Sequence, residues 1–159
     1  RKGKFSITDE FINEKIGVKE VSVKSEDEDS CVLCVKAYEN LLKKTRIEAD
    51  EIDAVVVVTQ NPDYNIPHCS AMLHGNLGFK ASCACFDISL GCSGFVYALS
   101  ALKAFAESNG FKKALLFTSD PYSKIIDPED KNTSLLFGDA AAVALLSEKP
   151  VFSTMKFTF

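Results

Sequence analysis

No apolar run in this chain approaches the roughly 20 residues that a membrane-spanning helix needs, so no membrane anchor is expected. Positive charge is not in excess either. Lys and Arg number 18 against 22 Asp and Glu, a formal net charge of −4, which argues against non-specific nucleic-acid binding. The opening Arg1-Lys2-Gly3-Lys4-Phe5 has no apolar h-region, so no secretory signal is expected. It has no initiator methionine, which suggests a start inside a longer protein. Internal repeats, linkers and low-complexity stretches are absent. Cys31-Val32-Leu33-Cys34 has no second Cys-x-x-Cys and no His-x-x-x-His to complete a zinc site, so no metal is expected.

What is present reads as a globular chain with a core: 159 residues, 47% apolar and 25% charged. The six cysteines are Cys31, Cys34, Cys69, Cys83, Cys85 and Cys92. A chain this rich in apolar residues needs no covalent staples, and without a secretory signal they read as reduced thiols in a cytoplasmic protein. A thioredoxin-like motif opens a helix directly after a strand. Cys31 and Cys34 instead follow the acidic run Glu26-Asp27-Glu28-Asp29, in an early helical turn. Packing on an apolar helix face is therefore preferred to a redox or metal role.

The pattern along the chain alternates strands with helices. Residues 8–15 read as a short helix with Thr8 as its N-cap. Residues 18–23 alternate apolar and polar, as an edge strand or extended segment does. Residues 30–44 keep helical spacing through Val32, Val35, Tyr38, Leu41 and Leu42. Ala54-Val55-Val56-Val57-Val58 is short, continuous and β-branched, as a strand buried on both faces is. A loop with two prolines follows at 61–67, then a helix at 68–77, a strand at 84–88, a helix at 93–108 ended by Asn109-Gly110, and a buried strand at 114–119. Residues 120–133 read as an irregular polar loop, and 140–146 as a strand of small residues. This order implies a layered α/β fold with a mainly parallel mixed sheet.

The segment richest in chemistry is Phe86-Asp87-Ile88-Ser89-Leu90-Gly91-Cys92-Ser93-Gly94-Phe95. It reads as a strand, a tight turn and a helix, with the Cys92 thiol at the helix start. Backbone N–H groups at a helix start lack intrahelical partners, and the macrodipole adds positive charge there. Both favour thiolate over thiol and can stabilise an oxyanion. Gly91 and Gly94 allow the turn to be tight and a substrate carbonyl to come close. The competing reading is a buried structural cysteine.

These residues carry a resemblance in order along almost the whole chain. Thr8-Asp9-Glu10-Phe11-Ile12 with Ile16-Gly17-Val18, Asp53 to Thr59, Phe86 to Phe95, Asp127-Pro128 and Phe137-Gly138-Asp139-Ala140-Ala141-Ala142 resemble the N-terminal half of a beta-ketoacyl-acyl-carrier-protein synthase III, in the thiolase-like superfamily. The resemblance implies a thiolase-like fold over residues 1–159, with the family's first strand and C-terminal half absent from this chain. That strand is placed by the resemblance in the middle of the sheet, where its loss would leave unpaired backbone groups. The implied activity is acyl transfer. Cys92 takes an acyl group from acyl-CoA or acyl carrier protein, then condenses it with malonyl-carrier protein with loss of CO2, in fatty acid or related acyl-chain biosynthesis. The family's decarboxylating His and Asn lie in the other half, so His68 and His74 read as surface or satisfied helix residues and this chain alone as inactive.

Other roles follow from the same resemblance. Phe11 stands where relatives stack an aromatic on the CoA adenine, and Lys131 where they place a cation near the nucleotide. Ile66 stands where a loop residue crosses the family's dimer to shape the acyl pocket; otherwise it anchors the Pro67 turn. Gly138 and Asp139 support the active-site floor. Acyl-CoA and acyl carrier protein are the implied partners, with no further cofactor, and Lys103, Lys112, Lys113 and Lys124 are candidates for carrier docking. A homodimer is implied through the strand beginning at Cys83. The alternatives are a non-catalytic synthase-like dimerisation partner, or another thiolase-superfamily enzyme such as a thiolase, a hydroxymethylglutaryl-CoA synthase or a chalcone-type synthase.

Overall fold

Val55 and Val57 turn to one face of their strand and Ala54, Val56 and Val58 to the other, and all five are buried. This strand, β1 (Ala54–Val58), therefore occupies the interior of a sheet. The computed structural model describes residues 3–149, 151–153 and 157. Its sheet has four strands in the order β2-β1-β3-β4, with β2 Ala84–Ile88, β3 Lys113–Pro121 and β4 Asp139–Ser147. β1 runs parallel to both neighbours, with Val56 opposite Phe86 on one side and Leu116 on the other.

The two faces carry separate apolar layers. On one, Val55, Val57, Leu115 and Phe117 pack with Cys31, Cys34 and Tyr38 of α2 (Ser30–Leu42) and with Cys69 and Leu73 of α3 (Cys69–Asn76). On the other, Val56, Val58 and Leu116 pack with Ala98 and Leu102 of α4 (Gly94–Asn109). Helices on both faces of a mainly parallel sheet fulfil the expectation of a layered α/β fold.

Contacts divide the chain into two compact units. The larger holds Glu28–Asp120 and Ala141–Phe159, and so most of the sheet; the smaller holds Arg1–Asp27 and Pro121–Ala140. In the smaller unit, Thr8 caps α1 (Asp9–Phe11), its Oγ1 accepting from Phe11 N at 3.1 Å. A π-helical turn, Ile12–Ile16, follows and closes at Gly17, whose φ of 74° suits a residue without a Cβ.

Of the two readings of residues 18–23, edge strand or extended segment, the second holds: they are extended without joining a ladder. Two expectations need correction. The segment read as an irregular loop at 120–133 contains a 3-10 turn, Tyr122–Lys124, and the start of α5 (Lys131–Leu136). Asp130 caps that helix, accepting from Asn132 N at 3.1 Å and Thr133 N at 3.3 Å. Finally, no gap lies in the middle of the sheet. β1 pairs directly with β3 from Ala54↔Ala114 to Thr118, so the ladder is continuous and a further strand has room only at an outer edge.

Candidate active site

In the larger unit, β1 and β2 end in register at Val58 and Ile88, beside Thr118 of β3, and loops at the carboxyl ends of such strands are where α/β folds gather ligand chemistry. The turn after β2 is drawn tight by Gly94 N donating to Gly91 O at 2.8 Å. Cys92 sits in that turn and its side chain is exposed. Ser93 is the N-cap of α4, so Cys92 lies one residue before the cap rather than in the first helical turn. Ser93 O accepts from Val96 N and Tyr97 N at 3.1 and 3.2 Å.

The glycines beside Cys92 are there for different reasons. A Cβ on Gly94 would stand 2.5 Å from Val58 Cγ1 and 3.0 Å from Leu90 Cβ, so its absence lets α4 approach β1. A Cβ on Gly91 would stand 2.7 Å from Gln60 Oε1. Ile66 belongs to the loop after β1 and is 88% exposed, so it does not anchor the Pro67 turn against the core.

The other thiols differ in kind. Cys31, Cys34, Cys69 and Cys83 are buried and Cys85 is half-buried. Burial is the main force raising them: Cys31 and Cys83 to about 11, Cys69 to about 12, Cys34 higher still, with Cys85 moved the same way. They stay protonated and inert near neutral pH. Cys31 and Cys34 pack inside the α2 layer, as their helical spacing implied, and the buried-thiol reading of Cys92 does not hold. Among the described residues, no group of three or more His, Cys, Asp or Glu is placed to hold a metal.

Several carboxylates that position this region were not singled out from sequence. Asp87 of β2 accepts from Cys69 N at 2.8 Å and Ser70 N at 2.9 Å, fastening the start of α3. Asp63 accepts from Cys31 N at 2.9 Å. Asp120, at the end of β3, accepts from Thr59 Oγ1, Gln60 N and Asn61 Nδ2. The only signal for these was an acidic residue at a strand end or in a loop, which is common on any surface. Of the histidines, His74 is satisfied by Lys80 O at 3.0 Å. His68 departs from expectation, since its Nε2 is buried without a partner among the described residues.

The smaller unit brings two of the remaining candidates together. The Lys131 ammonium lies 4.5 Å from the centre of the Phe11 ring, a cation–π contact. Gly138 is required by close packing: a Cβ would stand 2.9 Å from Ser22 O and 3.1 Å from Val21 Cβ. Asp139 is buried. Its Oδ1 accepts from Ser123 N at 2.7 Å, and its Oδ2 from Lys24 N at 2.7 Å and Ser123 Oγ at 2.5 Å. Burial opposes its charge, but the hydrogen bonds from Ser123 and from the Lys24 and Ser123 N–H groups prevail and hold the carboxyl below its usual range. Gly138 and Asp139 thus support a local framework of backbone.

Comparison with known proteins converges on one family. The model of 3-oxoacyl-[acyl-carrier-protein (ACP)] synthase III matches residues 86–158. The chain is 38% identical over 154 residues to a beta-ketoacyl-[acyl-carrier-protein] synthase III from Streptococcus sanguinis, covering 95% of this chain and 47% of that protein. A second such synthase, from a Sulfurovum species, is 38% identical over 141 residues, covering 88% of this chain and 41% of the relative. The crystal structure of the synthase III from Thermus thermophilus superposes with a TM-score of 0.84 at 34% identity, over 92% of this chain and 45% of that one. The chain therefore spans about half the length of the relatives it matches.

Proposed function

The chain belongs to the 3-oxoacyl-[acyl-carrier-protein] synthase III family, and from that premise we propose that it carries the nucleophilic part of an acyl-condensing site with Cys92 as the nucleophile. The observation that carries this reading is the contrast among the thiols. Cys92 alone is exposed, in the turn after β2, while the others are buried or half-buried.

The chemistry proceeds in two displacements. The Cys92 thiolate attacks the thioester carbonyl of an acyl-CoA or acyl-carrier donor, a new C–S bond forms, and the donor thiolate leaves. Malonyl-carrier protein then loses CO2. Its carbanion attacks the acyl-cysteine carbonyl and expels the Cys92 thiolate, leaving a beta-ketoacyl product. Phe11 and Lys131 hold the nucleotide of CoA, for which the cation–π contact supplies an aromatic face beside a cation. Ile66 contributes to the acyl pocket of a second copy, a role that suits its exposure. Acyl carrier protein is the partner, and the setting is cytoplasmic. Among the described residues no helix is long and apolar enough to cross a membrane.

The test is intact-mass analysis of the full-length protein after incubation with a panel of acyl-CoAs, followed by peptide mapping. A mass gain on Cys92 that Cys92→Ala abolishes is the expected result. An alanine variant that is still acylated places the nucleophile elsewhere. Silence towards CoA and carrier donors alike makes the protein a non-catalytic homologue.

A further inference from the structure

Gln60 follows the central strand β1, and its residue is exposed. Its backbone is nevertheless closely held. Asp120 Oδ1 accepts from Gln60 N at 2.8 Å and, on either side, from Thr59 Oγ1 at 3.2 Å and Asn61 Nδ2 at 3.1 Å. Asn61 N donates to Thr59 Oγ1 at 2.9 Å, closing the turn on itself. Thr59 N donates to Ile88 O at 3.2 Å, which ties this turn to the end of β2.

The tip of Gln60 then rests on the residue before the nucleophile. A Cβ on Gly91 would meet Gln60 Oε1 at 2.7 Å, Cδ at 3.3 Å and Nε2 at 3.7 Å. The carboxamide oxygen therefore occupies the space that a side chain at position 91 would fill, with the Nε2 group in ordinary contact beside it. A polar group with two N–H donors and one acceptor stands beside the turn that presents Cys92, on a backbone fixed by an ionic acceptor.

We propose that Gln60 is a substrate-positioning residue of the Cys92 site, its carboxamide N–H donating to the carbonyl oxygen of the incoming acyl thioester. The inference rests on the acyl-transfer reading and deepens it. Gly91 leaves the carboxamide its place, and Asp120 fixes the backbone from which it reaches. Replacing Gly91 by Ala need not break the fold, since the end of a Gln side chain can swing aside. It would instead displace the amide, and so mimic the loss of Gln60.

The experiment is a double-mutant cycle on the full-length protein with Gln60→Ala, Gly91→Ala and the pair. Two rates at Cys92 are followed by mass spectrometry: acylation by acetyl-CoA and alkylation by iodoacetamide. Each single variant is expected to slow acylation about tenfold, the effect of losing one aligned hydrogen bond. The double variant is expected to be no slower than either single one, because both remove the same group. Alkylation, which needs no oriented carbonyl, should stay within about twofold of wild type. Wild-type acylation in Gln60→Ala overturns the inference, as does a fall in alkylation equal to that in acylation, which would mark a merely structural contact. A wild-type protein acylated by no CoA or carrier donor overturns the acyl-transfer reading, and the inference with it.

Discussion

Asp139 makes its contacts through both carboxylate oxygens and through its backbone. Besides the donors to its side chain, its N–H donates to Ser22 O at 2.9 Å and its carbonyl accepts from Ser22 Oγ. Asp139→Asn keeps the shape but offers one acceptor oxygen where the carboxylate offers two, so its NH2 group must face a backbone N–H donor of Lys24 or Ser123, and the change is expected to cost about 2 kcal/mol in unfolding experiments near neutral pH. The pH dependence has a definite sign. The folded carboxyl titrates below the unfolded one, so the unfolded state binds the proton first as the solution is acidified. The stability it contributes is complete above the unfolded value of about 3.9 and is lost as pH falls through the folded value. The gap between wild type and Asp139→Asn in urea unfolding should therefore be constant at neutral pH and narrow below about pH 4. A gap that persists into acid would mean the carboxylate charge is not what holds Lys24 and Ser123. At this scale the turn that holds Cys92 and its flanking glycines was legible, because a strand, a tight turn and a helix leave a local signature. Asp87, Asp120 and Gln60 were hidden, because their importance comes from partners such as Ser70 or Gly91 that are remote along the chain.

Among the elements, the contact of α4 with β1 is a tight constraint near Cys92. Gly94, Ala98 and Leu102 form the buried stripe of α4, with the smallest residue nearest the strand end. Gly94→Ala gains about 1 kcal/mol of helix propensity. Against that, its Cβ would stand 2.5 Å from Val58 Cγ1, an overlap expected to cost about 1–3 kcal/mol. Net destabilisation is expected in urea unfolding, and combining it with Val58→Ala should cost less than the sum of the two single changes. Additive losses would show that the helix relieves the overlap by moving as a whole. The elements best read in advance were those with a strong period. β1 and β2 fall on the residues predicted, and α2 and α4 begin within a residue of expectation. α5 was missed because six residues are too few to display a hydrophobic period. Its cap, Asp130, was the one legible sign. Residues 18–23 alternate like a strand, yet Ser22 bonds Asp139 on the smaller unit instead of entering a ladder. Alternation marks extended backbone, and a partner edge decides whether it becomes a strand.

At the scale of the molecule, the sheet ends at β2, whose five residues are all half-buried rather than buried like those of β1. Ala84 N donates inward to Asp53 O at 2.9 Å, and Ile88 O accepts from Thr59 N at 3.2 Å. Strand alternation then turns the N–H and C=O of Cys85 and Asp87 towards the open edge. An unprotected edge of this kind is a template for another strand, and a second copy of the chain, paired about a two-fold axis, is the occupant that a symmetric oligomer supplies. The expected state of the full-length protein is a homodimer at micromolar concentration by sedimentation. Cys85→Pro discriminates sharply. Its missing N–H lies on the outer side, where an edge strand tolerates proline, so β2 keeps its ladder with β1. The same change removes a donor that a partner strand would need and places the ring in its path. The variant should stay folded, with a midpoint lowered by no more than the loss of association accounts for, yet sediment as a monomer. A dimeric Cys85→Pro would move the interface away from this edge, and a monomeric wild type would leave Ile66 without a second copy to reach.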